Sequence, residues 1–184
     1  SEASRVLLGL NKRRFSPFGE TVFYYSGFDW TQGAPNGSGV VFCDDQQTIY
    51  WSGKVINGKP DGHGEVTLIN GLKYKGDLKE GERHGKGKYT QVNGDVYEGE
   101  FQNDVRHGRG KHTYANGTVY DGDFVNGQRH GNGKLTDANG AVCEGEFQNG
   151  KLHGKGKYTH ANGSVYDGDF VNGLPHGKGK MTYA

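Results

Sequence analysis

One histidine recurs in each of five successive stretches of this 184-residue chain. The five are His84, His107, His130, His153 and His176. Histidine is a common metal ligand, and a zinc site needs several ligands that each lie about 2 Å from one ion. Neighbouring histidines are 23 residues apart, and if each stretch is a pair of β-strands, equivalent positions lie roughly 10 Å apart. We therefore expect no metal site and no other cofactor.

The motif Gly-Lys-Gly-Lys, at residues 85–88, 154–157 and 177–180, is of a type that could bind phosphate. A nucleotide-binding P-loop needs Gly-x4-Gly-Lys-Ser/Thr between a strand and a helix, and no stretch of the sequence has that spacing. Carboxylates recur in every stretch, so no pair of them stands out as a general acid and base. No Ser-His-Asp or Cys-His set stands apart either, and we expect no catalytic residues and no enzymatic activity.

Basic side chains are concentrated near the centre of each stretch, and Asp and Glu precede them. This arrangement predicts a basic edge despite the net charge of +1, and such an edge could attract anionic lipid headgroups. The alternative is that the basic residues pair with the carboxylates and keep the protein soluble. The residues of the predicted edge are Lys86, Lys88, Arg106, Arg109, Lys111, Lys155, Lys157, Lys178 and Lys180.

Composition narrows the class of protein. The chain has 34 glycines and only 32% hydrophobic residues, yet 12% of it is aromatic, which favours rings lying over bare backbone rather than a two-layer core or disorder. The small net charge gives no signature of nucleic-acid binding, no apolar run approaches the roughly 18 residues of a membrane span, and two cysteines form no disulfide framework. We expect an intracellular, cytoplasmic protein without a transmembrane segment or a nucleic-acid partner.

The histidines belong to a repeat of 23 residues that has no insertion or deletion. Position 3 of the repeat is always Gly, as are positions 12 and 14, and position 17 is always Thr. Positions 20 and 21 are Asn-Gly in each complete repeat. A fixed internal period of this length is typical of repeat arrays. Position 1 is occupied in turn by Trp51, Tyr74, Tyr97, Tyr120, Cys143 and Tyr166.

The pattern within each repeat predicts a β-hairpin. Positions 1–5 alternate between apolar, charged and glycine residues with a period of two, which predicts a strand, and positions 14–18 predict a second one. Asn-Gly at positions 20–21 is a strong hairpin signal because both residues tolerate positive φ. The glycine-rich stretch from position 7 to position 14 is predicted to form the other bend. The chain is then all-β, an elongated single-layer antiparallel β-meander.

The stretch Tyr97-Glu98-Gly99-Glu100-Phe101-Gln102-Asn103, followed by His107-Gly108-Arg109-Gly110, resembles the MORN repeat (membrane occupation and recognition nexus). The signature of that repeat is an aromatic-x-Gly-x-aromatic opening and an Asn-Gly…His-Gly-x-Gly centre. Residues 25–50 resemble a degenerate repeat, and residues 1–24 form an N-terminal segment that could retain part of an earlier one. The resemblance implies six repeats over residues 51–184, at 51–73, 74–96, 97–119, 120–142, 143–165 and 166–184.

In such a sheet the rings at positions 1 and 5 share one face with the glycine at position 3. A single layer leaves part of that face uncovered, and exposed apolar surface usually marks an interaction site. We predict that this face is a groove that binds a segment of a partner protein or a second copy of the chain. The predicted groove residues are Tyr74, Tyr97, Phe101, Tyr120, Phe124, Phe147, Tyr166 and Phe170.

The resemblance implies a non-catalytic scaffold or interaction protein at cytoskeletal or membrane-associated assemblies. Two alternatives stay open. The family name and the basic edge together imply a phosphoinositide-binding module for membrane attachment. MORN arrays are also attached to lipid kinases and to a lysine methyltransferase, so the chain could be the repeat portion of a larger enzyme.

Overall fold

Each repeat contains a two-residue turn at positions 7 and 8. In the computed structural model of the protein, Asn126 and Gly127 have φ of 50° and 79°. A type I′ hairpin turn requires positive φ at both central residues, and Asn and Gly accept that conformation at low cost. The same pair of positive φ values recurs at Asn57-Gly58, Asn149-Gly150 and Asn172-Gly173.

The Asn-Gly pair at positions 20 and 21 lies in a longer loop of three residues, Ala115, Asn116 and Gly117. Tyr114 N donates to Thr118 O at 2.8 Å, and Gly117 N donates to Tyr114 O at 2.9 Å. Of the three loop residues, only Gly117 has positive φ, at 89°. Asn116 Oδ1 accepts a hydrogen bond from Thr118 N at 2.9 Å. The predicted turn is present, but its asparagine acts as a hydrogen-bond acceptor and not as a left-handed residue.

The bend predicted between positions 7 and 14 is present but is confined to positions 7 and 8, because the second strand already begins at position 9. Gly131, at position 12, lies inside the strand Gln128–Thr136 with φ of 59°, beside a shift in register. Asp123 Oδ2 accepts a hydrogen bond from Asn132 N at 3.1 Å, and a Cβ on Gly131 would lie 2.8 Å from that oxygen. Glycine at position 12 therefore makes room for the carboxylate at position 4.

The structure describes residues 13–18, 21–26, 33–42, 49–67 and 71–184, and the chain divides into two units, Ser1–Val92 and Asn93–Ala184. The strands of the first unit are β1 (Arg13–Phe18), β2 (Thr21–Ser26), β3 (Gly37–Phe42), β4 (Ile49–Ile56), β5 (Lys59–Pro60), β6 (Gly62–Thr67), β7 (Lys73–Lys79) and β8 (Glu82–Thr90). They pair in the order β1-β2-β3-β4-β6-β7-β8, with β5 beside β4. Within the predicted N-terminal segment 1–24, residues 1–12 and 19–20 lie outside the described residues.

The second unit contains eight strands, and each pairs with the next. They are β9 (Val96–Gln102), β10 (Val105–Thr113), β11 (Val119–Val125), β12 (Gln128–Thr136), β13 (Val142–Gln148), β14 (Lys151–Thr159), β15 (Val165–Val171) and β16 (Leu174–Thr182). The described part of the chain contains no helix, and so none long and apolar enough to cross a membrane.

The strand register places equivalent positions of the repeat opposite one another. Gly110 in β10 lies opposite Gly99 in β9 and Gly122 in β11, and Lys111 lies opposite Asp121. Successive residues of a strand point to opposite faces, so one face carries the rings and glycines and the other carries charged residues. All described pairings are antiparallel, which confirms the predicted all-β antiparallel meander in both units.

Successive repeats are also joined through their turns. Gly127 N donates to Arg106 O at 2.9 Å, and Gly150 N donates to Arg129 O at 2.9 Å. Each bond links position 8 of one repeat to position 10 of the repeat before it. The turn thus satisfies a backbone donor that would otherwise need water, and it fixes one hairpin against its neighbour. The same bond joins Gly173 to Leu152.

Candidate functional site

A column of aromatic rings, one from each position 1 and position 5, runs along one face of the second unit. Tyr97 packs edge-to-face against Phe101 and Phe124, with ring centroids 5.0 and 5.1 Å apart. Tyr120 packs in the same way against Phe124 and Phe147, at 5.2 and 5.1 Å. Such pairs contribute about 0.5–1.5 kcal/mol each beyond the area they bury. We call these five rings the ring column.

Each tyrosine of the ring column packs against the glycines at positions 3 and 14. A Cβ on Gly122 would come 2.6 Å from Tyr120 Oη, and a Cβ on Gly133 would come 2.6 Å from two carbons of the same ring. The Tyr120 hydroxyl donates to Asp123 O at 3.1 Å. Burial raises the pKa of Tyr120 to about 12. The hydroxyl is therefore a protonated donor with a structural role, and not an acid–base group.

Arginine at position 10 covers the ring column. The guanidinium carbon of Arg129 lies 5.6 Å from the Tyr120 centroid and 5.8 Å from the Phe147 centroid. Its Nη2 donates to Gly150 O at 2.7 Å. Arg106 holds the same place one repeat earlier, 5.7 and 5.6 Å from the corresponding two centroids. Because a guanidinium over rings contributes about 0.5–2 kcal/mol, these arginines belong to the packing of this face.

Most of the eight residues of the predicted groove are buried, so the uncovered part of this face is smaller than the full set of rings. Seven of the eight are at most 4% exposed. Tyr97 and Tyr120, for example, pack against glycines and have the guanidinium groups of Arg106 and Arg129 over their rings. Only Tyr166 among the eight is half-buried. The seven buried rings are Tyr74, Tyr97, Phe101, Tyr120, Phe124, Phe147 and Phe170.

The ring column stops at Cys143, which provides no ring at position 1. Leu152 stands at position 10, where the two preceding repeats have arginine. Its side chain takes the place of the missing ring over the glycines: a Cβ on Gly145 would lie 3.3 Å from Leu152 Cδ1, and one on Gly156 would lie 2.9 Å from Cδ2. Leu152 is consequently buried, and the space used by arginine in the earlier repeats is left open.

A cavity of about 300 Å³ lies at this interruption, and we call it the Cys143 groove. Phe170, which is equivalent to the arginine-covered Phe147, lines it. Burial raises the pKa of the Cys143 thiol, which favours the protonated, uncharged form of the sulfur in this apolar wall. Lys151 is exposed at the rim. Other walls come from Leu135, Leu152, Tyr158, His160, Tyr166 and Pro175.

Three residues of the predicted groove, Phe147, Tyr166 and Phe170, do line the Cys143 groove. Leu152 and Pro175 were not predicted, although the sequence carries a signal for both. Position 10 is Arg in three successive repeats and then Leu and Pro in the last two, and position 1 changes to Cys in the first of those two. Departure from the repeat pattern, rather than the pattern itself, marks the groove.

The opposite face carries carboxylates as well as basic side chains, and several residues of the predicted basic edge are paired with carboxylates, as in the alternative interpretation of the sequence. Arg109 lies 3.6 Å from both Asp121 and Asp123. Lys155 Nζ lies 2.6 Å from Asp169 Oδ1, and this hydrogen bond holds the pKa of the Asp169 carboxyl below its usual value. Exposed pairs of this kind contribute little to stability, but they neutralise the cations locally.

Other residues of the predicted edge are divided between the two faces of the sheet, because successive residues of a strand point to opposite faces. Arg106 lies on the ring face, whereas Lys111, opposite Glu98 and Asp121, lies on the charged face. Lys157 stands opposite Glu144 in the same way. Lys180 lies opposite Asp167, and Lys86 and Lys178 bind the carboxylates of Asp77 and Asp169 through their backbone N–H groups.

His112 is a buried titratable side chain on the ring face, only 4% exposed. Its Nδ1 lies 2.9 Å from Arg106 Nη1, and since a guanidinium can only donate, Nδ1 accepts and the neutral ring carries its proton on Nε2. Nε2 is 4.0 Å from Asp95 Oδ2 and has no hydrogen-bond partner among the described residues. Burial, followed by the Arg106 guanidinium, lowers the pKa of His112 from 6.5.

We expect His112 to make stability depend on pH. Because its folded pKa is lowered, the unfolded chain takes up a proton first as pH falls, so stability is fully present above about pH 6.5 and declines below it. The substitution His112→Leu, which copies Leu135 of the next repeat, should remove this part of the decline. Urea unfolding of both proteins at about pH 5 and about pH 8 measures it. A His153→Asn control should keep the wild-type difference, and an unchanged decline in His112→Leu would contradict the assignment.

The recurrent histidines are placed one to a repeat, in the bulged part of the second strand. His130 lies opposite Asp123, and His176 lies opposite Asp169. Within the described residues, no group of three or more His, Cys, Asp or Glu is arranged so that it could hold a metal ion.

The fold and this face define a class of protein: an array of β-hairpin repeats whose recurrent residues serve packing and turns. The family model described as the MORN repeat matches residues 29–48, 51–73, 74–96, 97–119, 120–142, 143–165 and 166–184. The chain therefore belongs to the MORN-repeat family, whose repeat is a non-catalytic interaction and scaffold module. A search of curated proteins found no match to the chain.

Proposed function

We propose that this protein is a non-catalytic scaffold that binds a segment of a partner protein in the Cys143 groove. The observation that carries the proposal is the cavity of about 300 Å³ where the ring column stops. In the two preceding repeats, the rings of Tyr97, Phe124 and Tyr120 are covered by Arg106 and Arg129. A concave apolar site with a few polar groups at its rim is the usual form of a binding site. We place the protein in the cytoplasm, at cytoskeletal or membrane-associated assemblies.

Phosphoinositide binding, the first alternative, draws less support from the geometry. The cations that would contact headgroups alternate with carboxylates, as Arg109 does with Asp121 and Asp123. A membrane surface attracts clusters of basic residues, and interleaved charges of both signs weaken that attraction. The second alternative, attachment to a catalytic domain, leaves the groove free to hold a segment of that domain.

A photo-crosslinking phenylalanine derivative can distinguish the two faces of β14. Tyr158 lines the Cys143 groove, whereas its neighbour Lys157 is exposed on the charged face. We expect the derivative at position 158, in extract of the native cell, to form a discrete crosslinked species with a partner protein. The same derivative at position 157 is the matched control and should not form it. Mass spectrometry of the species identifies the attached segment.

Crosslinking from position 157 but not from position 158 would show that the charged face is the binding face. Crosslinks from position 158 to peptides of this same chain would identify self-association in place of a separate partner. Sedimentation of the protein with phosphoinositide vesicles at physiological salt, unaffected by Tyr158→Ser but lost in Lys155→Glu, would favour the lipid alternative.

A further inference from the structure

The Cys143 groove arises from two linked substitutions in the repeat. The repeat at 120–142 has Tyr120 at position 1 and Arg129 at position 10, whereas the next repeat has Cys143 and Leu152. Leu152 packs over the glycines at positions 3 and 14, which a tyrosine ring covers in other repeats. Either change alone would disturb the packing: a tyrosine at position 143 would meet Leu152, and an arginine in place of Leu152 would have Phe170 beneath it but no ring at position 143. The pair therefore keeps the sheet packed and opens the groove.

In the preceding repeat, an arginine side chain fills the space that corresponds to the Cys143 groove. There Arg129 extends across Phe147 and reaches Gly150 O at 2.7 Å. The corresponding ring in the next repeat is Phe170, which lines the groove. The volume of about 300 Å³ is at the lower end of the range of about 300–1,000 Å³ for ligand sites. The space suits one large side chain and its neighbours, and not a folded domain.

The residues that line the Cys143 groove determine which kind of side chain it can bind. The deep part is formed by Leu135, Leu152 and Phe170 with the protonated thiol of Cys143. None of the described residues that line the groove is acidic, and the carboxylate that acts on the Cys143 thiol, that of Asp137, is outside the lining. A buried cation would therefore have no counter-ion in contact with it and would be costly to desolvate. Lys151 is exposed at the rim, which favours a carboxylate beside the buried group.

We propose that the Cys143 groove takes one large apolar side chain, Leu, Met, Phe or Trp, from a partner peptide that carries Asp or Glu beside it. This proposal rests on the proposed function and specifies the chemistry of the partner. The apolar anchor replaces the covering that Arg129 gives to Phe147, and the acidic neighbour pairs with Lys151.

Short random peptides displayed on phage are the probe. They are selected against the full chain and against the double variant Cys143→Tyr with Leu152→Arg. The double variant copies positions 1 and 10 of the repeat at 120–142, so it should fold with a thermal midpoint at least equal to that of the wild type. We expect wild-type selection to enrich peptides with one large apolar residue next to an acid. A synthetic peptide of that type should bind the double variant at least about tenfold more weakly.

A third protein, Lys151→Glu, tests the rim alone, because the residue is exposed. It should bind the same peptide more weakly and prefer a version with Lys in place of the acid. Enrichment of arginine-anchored peptides that the double variant loses would overturn the proposed anchor while leaving partner binding at the groove in place. Peptides that bind wild type and double variant equally, or no enrichment at all, would overturn the proposal. The crosslinking experiment decides the proposed function independently.

Discussion

Replacing Tyr120 with alanine is expected to lower the free energy of unfolding by about 3–5 kcal/mol, as truncation of a buried aromatic residue does. Tyr120 is 0% exposed and packs against Phe124 and Phe147. The substitution also removes the ring beneath Arg129 and leaves Gly133 facing a void. Urea unfolding followed by circular dichroism measures the loss.

Two control substitutions separate the parts of this effect. Tyr120→Phe keeps the ring and removes only the hydrogen bond to Asp123 O, so it should cost about 1 kcal/mol. Cys143→Ala makes the corresponding truncation at position 1 of the next repeat, where no ring exists, and should cost roughly 1 kcal/mol or less. Similar losses for Tyr120→Ala and Cys143→Ala would show that the ring column is not the core of this face.

The second large effect is expected from adding a single methyl group at position 14. Gly133 lies directly under the Tyr120 ring, and a Cβ there would come 2.6 Å from two ring carbons. The ring cannot move away, because Phe124, Phe147 and its own bond to Asp123 O hold it. Gly133→Ala should therefore cost at least about 1–3 kcal/mol through overpacking, measured as a lower urea midpoint.

Gly156→Ala is the matched control, since it occupies position 14 of the next repeat. There the nearest atom to a new Cβ is Leu152 Cδ2, at 2.9 Å, the far end of a flexible side chain that borders the Cys143 groove. Leu152 can turn into that open space, so the control should lose much less stability. A larger loss for Gly156→Ala than for Gly133→Ala would contradict the stacking of rings on glycine.

The period and the hairpins could be predicted from sequence because the Asn-Gly turns and the alternation of rings, acids and glycine are local signals. The conformation of the individual turn residues could not be predicted in this way. Two Asn-Gly pairs occur in many repeats, and sequence alone does not reveal that Asn126 adopts positive φ while Asn116 accepts a hydrogen bond. The sequence pattern assigns Gly131 to a bend. It does not reveal that Gly131 lies in a bulged strand, because the Asp123 carboxylate that occupies the bulge comes from another strand.

The uncovered part of the ring face was harder to predict, because the covering of the rings depends on contacts between repeats. Arg129 has the residue type of a surface cation, yet it reaches the Phe147 ring and Gly150 O of the following repeat. Counting rings therefore overestimates the uncovered area. The Cys143 groove escapes prediction for the opposite reason, since Cys143 and Leu152 are ordinary apolar residues until the positions that they replace are known.

The interruption of the ring column affects how cooperatively the repeats of the second unit unfold. In a linear array, stability is approximately a sum of terms for each repeat and terms for each junction between neighbours. The junction that joins residues 120–142 to residues 143–165 keeps its Tyr120–Phe147 ring contact, whereas Cys143 offers no ring to Phe170 at the next junction. That junction therefore lacks a ring contact that the two earlier junctions of the unit have, and we expect its term to be the smallest of the three. A partner side chain in the Cys143 groove would contact both sides of the weak junction, so that binding would couple the last repeat to the others and raise stability by mass action.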